Sequence, residues 1–175
     1  IINRFFEELI NMVTRFSGDV IKFGGDAIMS IWSSNTCGES LETLTHRAVA
    51  CGLEQLQQLN NWDTKEGVML QLHLGLGAGA VQGVDLGNFL RREFVVAGHA
   101  LRQLSDAEQQ AETGQLCVSP EAWVLVQPHC VGTAVPNDKT GKFGPGFKII
   151  TKCHRQPPLP PHWRAVLEEQ LKLSP

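Results

Sequence analysis

The chain has 175 residues, enough to bury a proper core in one domain, and its 42% hydrophobic and 19% charged content is that of a globular protein. A net charge of −3 excludes a general attraction to nucleic acid or acidic lipid. An anionic ligand must therefore be held locally, by a metal or by a few placed cations.

Ile2, Phe5, Phe6, Leu9, Ile10, Val13 and Phe16 recur at three- and four-residue spacing and predict an amphipathic helix that Ser17-Gly18 stops. Two short strands follow, over 20–23 and 27–32, joined by Gly24-Gly25-Asp26. A second helix is predicted over 41–59, with Leu44, Ala48, Cys51, Leu56 and Leu59 on its buried side. The alternation of Val68, Leu70, Leu72, Leu74 and Leu76 predicts one strand over 68–78, and the glycine-rich "GAGAVQGVDLG" after it predicts a bend or a close backbone approach. Residues 94–97 read as a short strand, and Gly98 opens a helix over 99–112. "QLCVSPEAWVLV" gives a strand and then a helix capped by Ser119, with Pro120 in its first position. "PNDKTGKFGPG" reads as a loop and "FKIITK" as a final strand. His73, His99 and the four tryptophans, Trp32 and Trp123 among them, read as strand or helix positions and packing.

This order suits an α/β (α+β) fold: a mixed sheet with helices on one face, a ferredoxin-like βαββαβ core whose first strand lies upstream. The domain spans 1–153, and "RQPPLPP" opens a stiff linker over 154–175. The chain starts without Met and already in helical periodicity, so a piece of a longer protein is expected. No apolar stretch approaches membrane-spanning length and no signal peptide is recognisable. Five cysteines, Cys37, Cys51, Cys117, Cys130 and Cys153, are odd in number and lack CxxC or Cys-His spacing. They signal neither a disulfide framework nor a zinc site, and a reducing cytoplasm is the expected location.

The stretch "SGDVIKFGGDAIMSIW" carries the chemistry. An Asp between glycines at a hairpin tip presents both oxygens outward with no bulky neighbour. Mg²⁺ takes such oxygens, usually one or two carboxylates together with substrate phosphates. By itself a Gly-Gly-Asp turn is more often only a turn.

Context changes that balance. "GDVIKFGGDAIMSIW", a helix, "LHLGLGAGAVQG" and "REFVVAGHAL", in that order, resemble the class III nucleotidyl cyclase catalytic domain over about residues 5–120. Bacterial diguanylate cyclases also have a Gly-Gly-Asp hairpin, but an acidic residue and Phe follow it there. Ala27-Ile28 after the Asp and Lys22 before it favour class III. The resemblance implies that Asp26 is the second of two metal-binding aspartates, beside Gly25 in the substrate-binding turn, and that two Mg²⁺ or Mn²⁺ ions serve as cofactors. The first aspartate belongs to a strand upstream of the opening helix. Lys22 matches a lysine that hydrogen-bonds the purine where adenine is the base, which implies ATP as substrate and cyclic AMP as product. Its bland reading is a strand lysine balancing Asp19 or Asp26.

The departures matter as much. The family has an Asn and, four residues on, an Arg that stabilise the transition state. They fall at the fourth and eighth residues after Gly98, which here are Arg102 and Asp106. A homodimer is therefore not expected to cyclise ATP efficiently, and the chain resembles a C1-like half whose C2-like partner domain in the same polypeptide brings those residues. Within the family the resemblance is strongest to the first domain of the soluble, bicarbonate-responsive adenylyl cyclases. That implies a regulatory pocket in which Lys22 and Arg91 hold bicarbonate, Arg offering a planar fork to a planar anion. The bland reading of Arg91 is a surface charge beside Arg92. A non-catalytic, anion-binding regulatory domain is the alternative function.

Overall fold

The computed structural model describes residues 2–34, 38–135, 146–154 and 157. The loop read over 136–146 and the linker over 154–175 lie almost wholly outside them. Helix α1 (Ile2–Arg15) buries Phe5, Leu9, Met12 and Val13 and ends in a turn where Ser17 takes φ 58°. Strands β1 (Asp19–Gly24) and β2 (Ala27–Ile31) form an antiparallel hairpin closed by the Gly24–Ala27 pair. Helix α2 (Leu41–Leu59) is capped by Ser40, whose side chain accepts from Thr43 N. Its Ala50, Cys51 and Leu59 share a core with α1, against which Trp32, Trp62 and Leu70 pack.

The single strand expected over 68–78 is split in two. Strand β4 (Met69–Leu70) pairs with β3 (Trp62–Asp63), whereas β5 (Leu74–Leu76) joins the main sheet. The break has a local cause: Leu72 N donates to Asn60 Oδ1 and Leu72 O accepts from Gly114 N, so neither group is left for a ladder. The glycine-rich stretch after β5 contains a full strand, β6 (Gln82–Gly87), paired along its length with β7 (Arg92–Ala97).

Helix α3 (His99–Gln110) leads to β8 (Leu116–Val118), and α4 (Pro120–Val126) carries the expected Ser119 cap with Pro120 in its first turn. Strand β9 (Cys130–Ala134) pairs antiparallel with β10 (Lys148–Cys153), so the mixed four-stranded sheet runs β5-β8-β10-β9 with β5 and β8 parallel. Among the described residues, no helix is long and apolar enough to cross a membrane.

Helices cover both faces of this sheet rather than one. Leu116, Val118 and Ile150 meet Val49 of α2 and Ala122 and Val126 of α4, whereas their strand neighbours Cys117 and Ile149 meet Ala107 of α3. Helix α3 reaches that second face because Gly75 and Gly77 clear it. A Cβ on Gly77 would lie 2.3 Å from Ala100 O, and one on Gly75 would lie 2.5 Å from Leu104 O. Backbone atoms cannot give way as a flexible side chain can. Gly77→Ala is therefore expected to destabilise the fold by about 2 kcal/mol in denaturant unfolding. Gly24→Ala, with nothing within 4 Å of the added methyl, should change stability little. Equal effects of the two would mean that the helix does not rest on β5 as described.

Strand β2 pairs only with β1, and β5 only with β8, among the described residues. Between the two open edges lies a cavity of about 360 Å³. Ile28 and Ile31 of β2, Leu74 and Leu76 of β5, and Leu44 and Ala48 of α2 are among the side chains that line it.

Candidate functional site

The β1–β2 hairpin has a two-residue tip, Gly25-Asp26. Gly25 takes φ +66°, a positive value at the first central position that a type II′ turn requires and that glycine supplies without steric cost. Asp26 is exposed and forms no ion pair or hydrogen bond among the described residues, so its oxygens are open to a ligand. Asp19 sits at the opposite end of the hairpin, across from Ile31. The tip thus offers one carboxylate. That fits a hard divalent ion completed by water and phosphate oxygens. Lys22 lies on β1 opposite Met29, exposed, with a register shift between Val20 and Lys22.

The base of the hairpin is fixed far more firmly than its tip. Arg47 of α2 is fully buried and holds Glu39 through two bonds of 2.6 and 2.7 Å. It also donates to Ser17 Oγ at 2.8 Å, which ties α2 to the turn that leads into β1. Trp32, just past β2, donates its indole N–H to Phe16 O at 2.9 Å and lies against Gly18, where a Cβ would come within 2.6 Å of the ring. Both ends of the hairpin are therefore anchored on the end of α1. Composition and periodicity did not single out Arg47. Its signal, a charge three residues from Leu44 on the buried side of α2, reads as a face-edge cation until the fold closes around it.

Arg102 and Asp106 sit one turn apart on the outer side of α3, Arg102 exposed and Asp106 partly buried. The inner side carries Gln103, whose Oε1 accepts from Ala78 N and from Ser119 Oγ while Nε2 pairs with His99 Nδ1. His73 pairs with Glu108 at 2.7 Å, Trp123 packs on the core beneath β9, and Trp32 lies as above, so these three, like His99, keep structural roles. Cys51 and Cys117 are buried thiols pushed up to about 12, chiefly by desolvation, and are inert at neutral pH.

Arg91 stands at the far tip of the β6–β7 hairpin, beyond the Gly87–Arg92 pair. Its side chain is 83% exposed and bonds Glu93 at 2.6 Å, while Asn88 Oδ1 accepts from its backbone N–H. Arg91 and Lys22 thus stand on different hairpins. The same hairpin exposes Leu86, Phe89, Leu90 and Phe94, an apolar edge left open among the described residues.

No known protein-family profile matches the chain. It is 27% identical to adenylate cyclase type 10 of Mus musculus over 162 residues, 87% of this chain, and 27% identical to that of Oryctolagus cuniculus over 125 residues, 71% of this chain. The chain spans about a tenth of the length of these relatives, 10% and 8% respectively. In solved structures, it superimposes on the guanylate cyclase domain of RhGC from Catenaria anguillulae, in complex with GTP, with a TM-score of 0.74 at 19% identity, covering 87% of this chain and 82% of that one. The adenylyl cyclase CyaB from P. aeruginosa gives a TM-score of 0.74 at 16% identity, with 88% and 82% covered. The chain is a homologue of adenylate cyclase type 10 and has the fold of a class III nucleotidyl cyclase catalytic domain.

Proposed function

We propose that this chain is the C1-like half of an adenylyl cyclase catalytic core, which converts ATP to cyclic AMP and pyrophosphate. The observation that carries the reading is Asp26, exposed and without an ion pair among the described residues, on a firmly based hairpin in a domain of cyclase fold. In the reaction the 3′-hydroxyl oxygen bonds the α-phosphorus, the bond to the bridging oxygen of pyrophosphate breaks, and the hydroxyl proton is lost. Asp26, beside Gly25, would hold Mg²⁺ or Mn²⁺, which when bound lowers the pKa of an attacking oxygen and neutralises phosphate charge. Lys22, on the same hairpin, supplies a donor for the adenine ring.

Two further parts are required. The open edges of β2 and β5, with a cavity between them, support a strand from a preceding segment as the occupant, bringing the other metal aspartate. Arg102 and Asp106, in place of Asn and Arg, support a C2-like partner domain in the same polypeptide, and the exposed apolar edge of the β6–β7 hairpin offers it a surface. Residues 1–175 alone should therefore make no cyclic AMP from ATP with Mg²⁺ or Mn²⁺, whereas the full-length protein should. Turnover by the isolated residues at a rate comparable to a complete cyclase would sink this reading.

The residues at 102 and 106 also favour a second reading, a regulatory domain that binds an anion such as bicarbonate and turns nothing over. The two meet at Arg91. If Lys22 and Arg91 hold bicarbonate, the anion must take the guanidinium from Glu93. Bicarbonate at fixed pH should then raise full-length activity saturably, by several-fold to about a hundredfold. Arg91→Ala should remove that response and spare basal turnover, with chloride at equal ionic strength as the control. An unchanged response in Arg91→Ala would return Arg91 to a surface charge.

A further inference from the structure

His46, Cys130 and Cys153 are widely separated in sequence yet converge at one corner of the domain. Cys130 opens β9 and Cys153 closes β10, and the two face each other directly in the antiparallel register. Their sulfurs are 3.5 Å apart. His46 Nε2, from α2, lies 2.8 Å from Cys153 Sγ, and the three ligand atoms all fall within 4.8 Å of one another. His46 and Cys130 are buried, and Cys153 is partly open to solvent. The imidazole is also held in plane: His129 stacks on it at 4.7 Å and 10°, and His129 is itself fixed by Glu42 at 3.2 Å.

The geometry points to a zinc site formed by His46 Nε2, Cys130 Sγ and Cys153 Sγ, with water in the fourth position on the open side of Cys153. Zinc is bound tetrahedrally at about 2.3 Å from sulfur and about 2.0–2.1 Å from nitrogen, which sets S···S near ~3.8 Å and S···N near ~3.5 Å. The sulfur pair is already close to that spacing, and binding would lengthen the 2.8 Å contact between His46 Nε2 and Cys153 Sγ. The donor set is also right in kind, since borderline-soft Zn²⁺ prefers thiolate and imidazole whereas Mg²⁺ and Ca²⁺ take oxygen. Two thiolates and a neutral imidazole cancel the charge of Zn²⁺, so the corner would carry no net buried charge. Such an ion would clamp α2 to the β9–β10 pair, one residue from the Arg47 that anchors the cyclase hairpin.

The test uses the full-length protein, reduced and stripped of metal, titrated with Co²⁺ and then Zn²⁺. Co²⁺ should produce thiolate-to-cobalt absorption, Zn²⁺ should bleach it, and Zn²⁺ should raise the unfolding temperature. Peptide-level alkylation locates the site: Zn²⁺ should shield Cys130 and Cys153 and leave the labelling of Cys51 unchanged. Cys130→Ser, Cys153→Ser and His46→Ala should each weaken binding by at least about tenfold, judged by one equivalent lost relative to the parent. The parent spectrum and alkylation pattern need no variant to fold. Absence of a thiolate–cobalt band, or unshielded Cys130 and Cys153 at saturating Zn²⁺, would overturn the site. So would a pair that closes to a disulfide under mild peroxide while the reduced protein binds neither ion, since it would then be a redox pair. These readouts are independent of cyclase turnover.

Discussion

Asp26→Asn in the full-length protein is expected to lower kcat for cyclic AMP formation by at least about a hundredfold, because it removes charge stabilisation specific to the transition state. Stability should hardly move. The carboxylate is exposed, makes no ion pair among the described residues, and lies in a turn whose geometry Gly25 sets. A change within about 0.5 kcal/mol is the norm for such a surface site. The combination of lost turnover and kept stability is what separates a metal ligand from a turn residue. A folded Asp26→Asn enzyme with parental kcat would remove Asp26 from the mechanism and leave Gly-Gly-Asp as simple turn chemistry.

Arg47→Ala should show the opposite pattern. Arg47 is fully buried, with a two-bond ion pair to Glu39 and a bond to Ser17 at the end of α1. Removing Arg47 leaves Glu39 without this ion pair and the Ser17 hydroxyl with Phe16 O in place of two partners. The expected loss is about 3 kcal/mol in urea unfolding, seen as a lower midpoint at unchanged slope. Arg47→Lys keeps the charge but cannot bond both carboxylate oxygens in one plane, so it should recover only part of the loss. Because the network holds the base of the hairpin, turnover should fall as well, through misplacement of Asp26 and not through loss of a reacting group. A loss below about 1 kcal/mol would mean that the buried pair does not hold the α1–α2 junction.

The hairpin was legible in the sequence because its signals are local. Glycines at the turn and short apolar runs on either side specify it without reference to the rest of the chain, and the same holds for the Ser119-Pro120 helix start. The strand read over 68–78 broke because alternation registers side chains alone. It does not show that the backbone at Leu72 bonds Asn60 and Gly114. Strand β9 carries Gly132 beneath the Trp123 ring, where a Cβ would approach within 2.8 Å, so close packing takes the place of a β-forming side chain. The second helical face was foreshadowed only by Gly75 and Gly77, which signal close approach without naming what approaches. His46, Cys130 and Cys153 had no local spacing to give them away, since 107 and 23 residues separate the pairs that meet. Arg91 was matched by resemblance alone, and the structure gives it a local partner in Glu93.

The most direct test of the central claim is Mn²⁺ binding to the full-length protein in the presence of a non-cyclisable ATP analogue, compared with Asp26→Asn. If Asp26 is a metal ligand at the nucleotide, the parent should bind Mn²⁺ with the analogue, and the variant should lose affinity by at least about tenfold while remaining folded. Equal Mn²⁺ affinity in parent and variant would contradict the assignment, whatever happened to turnover.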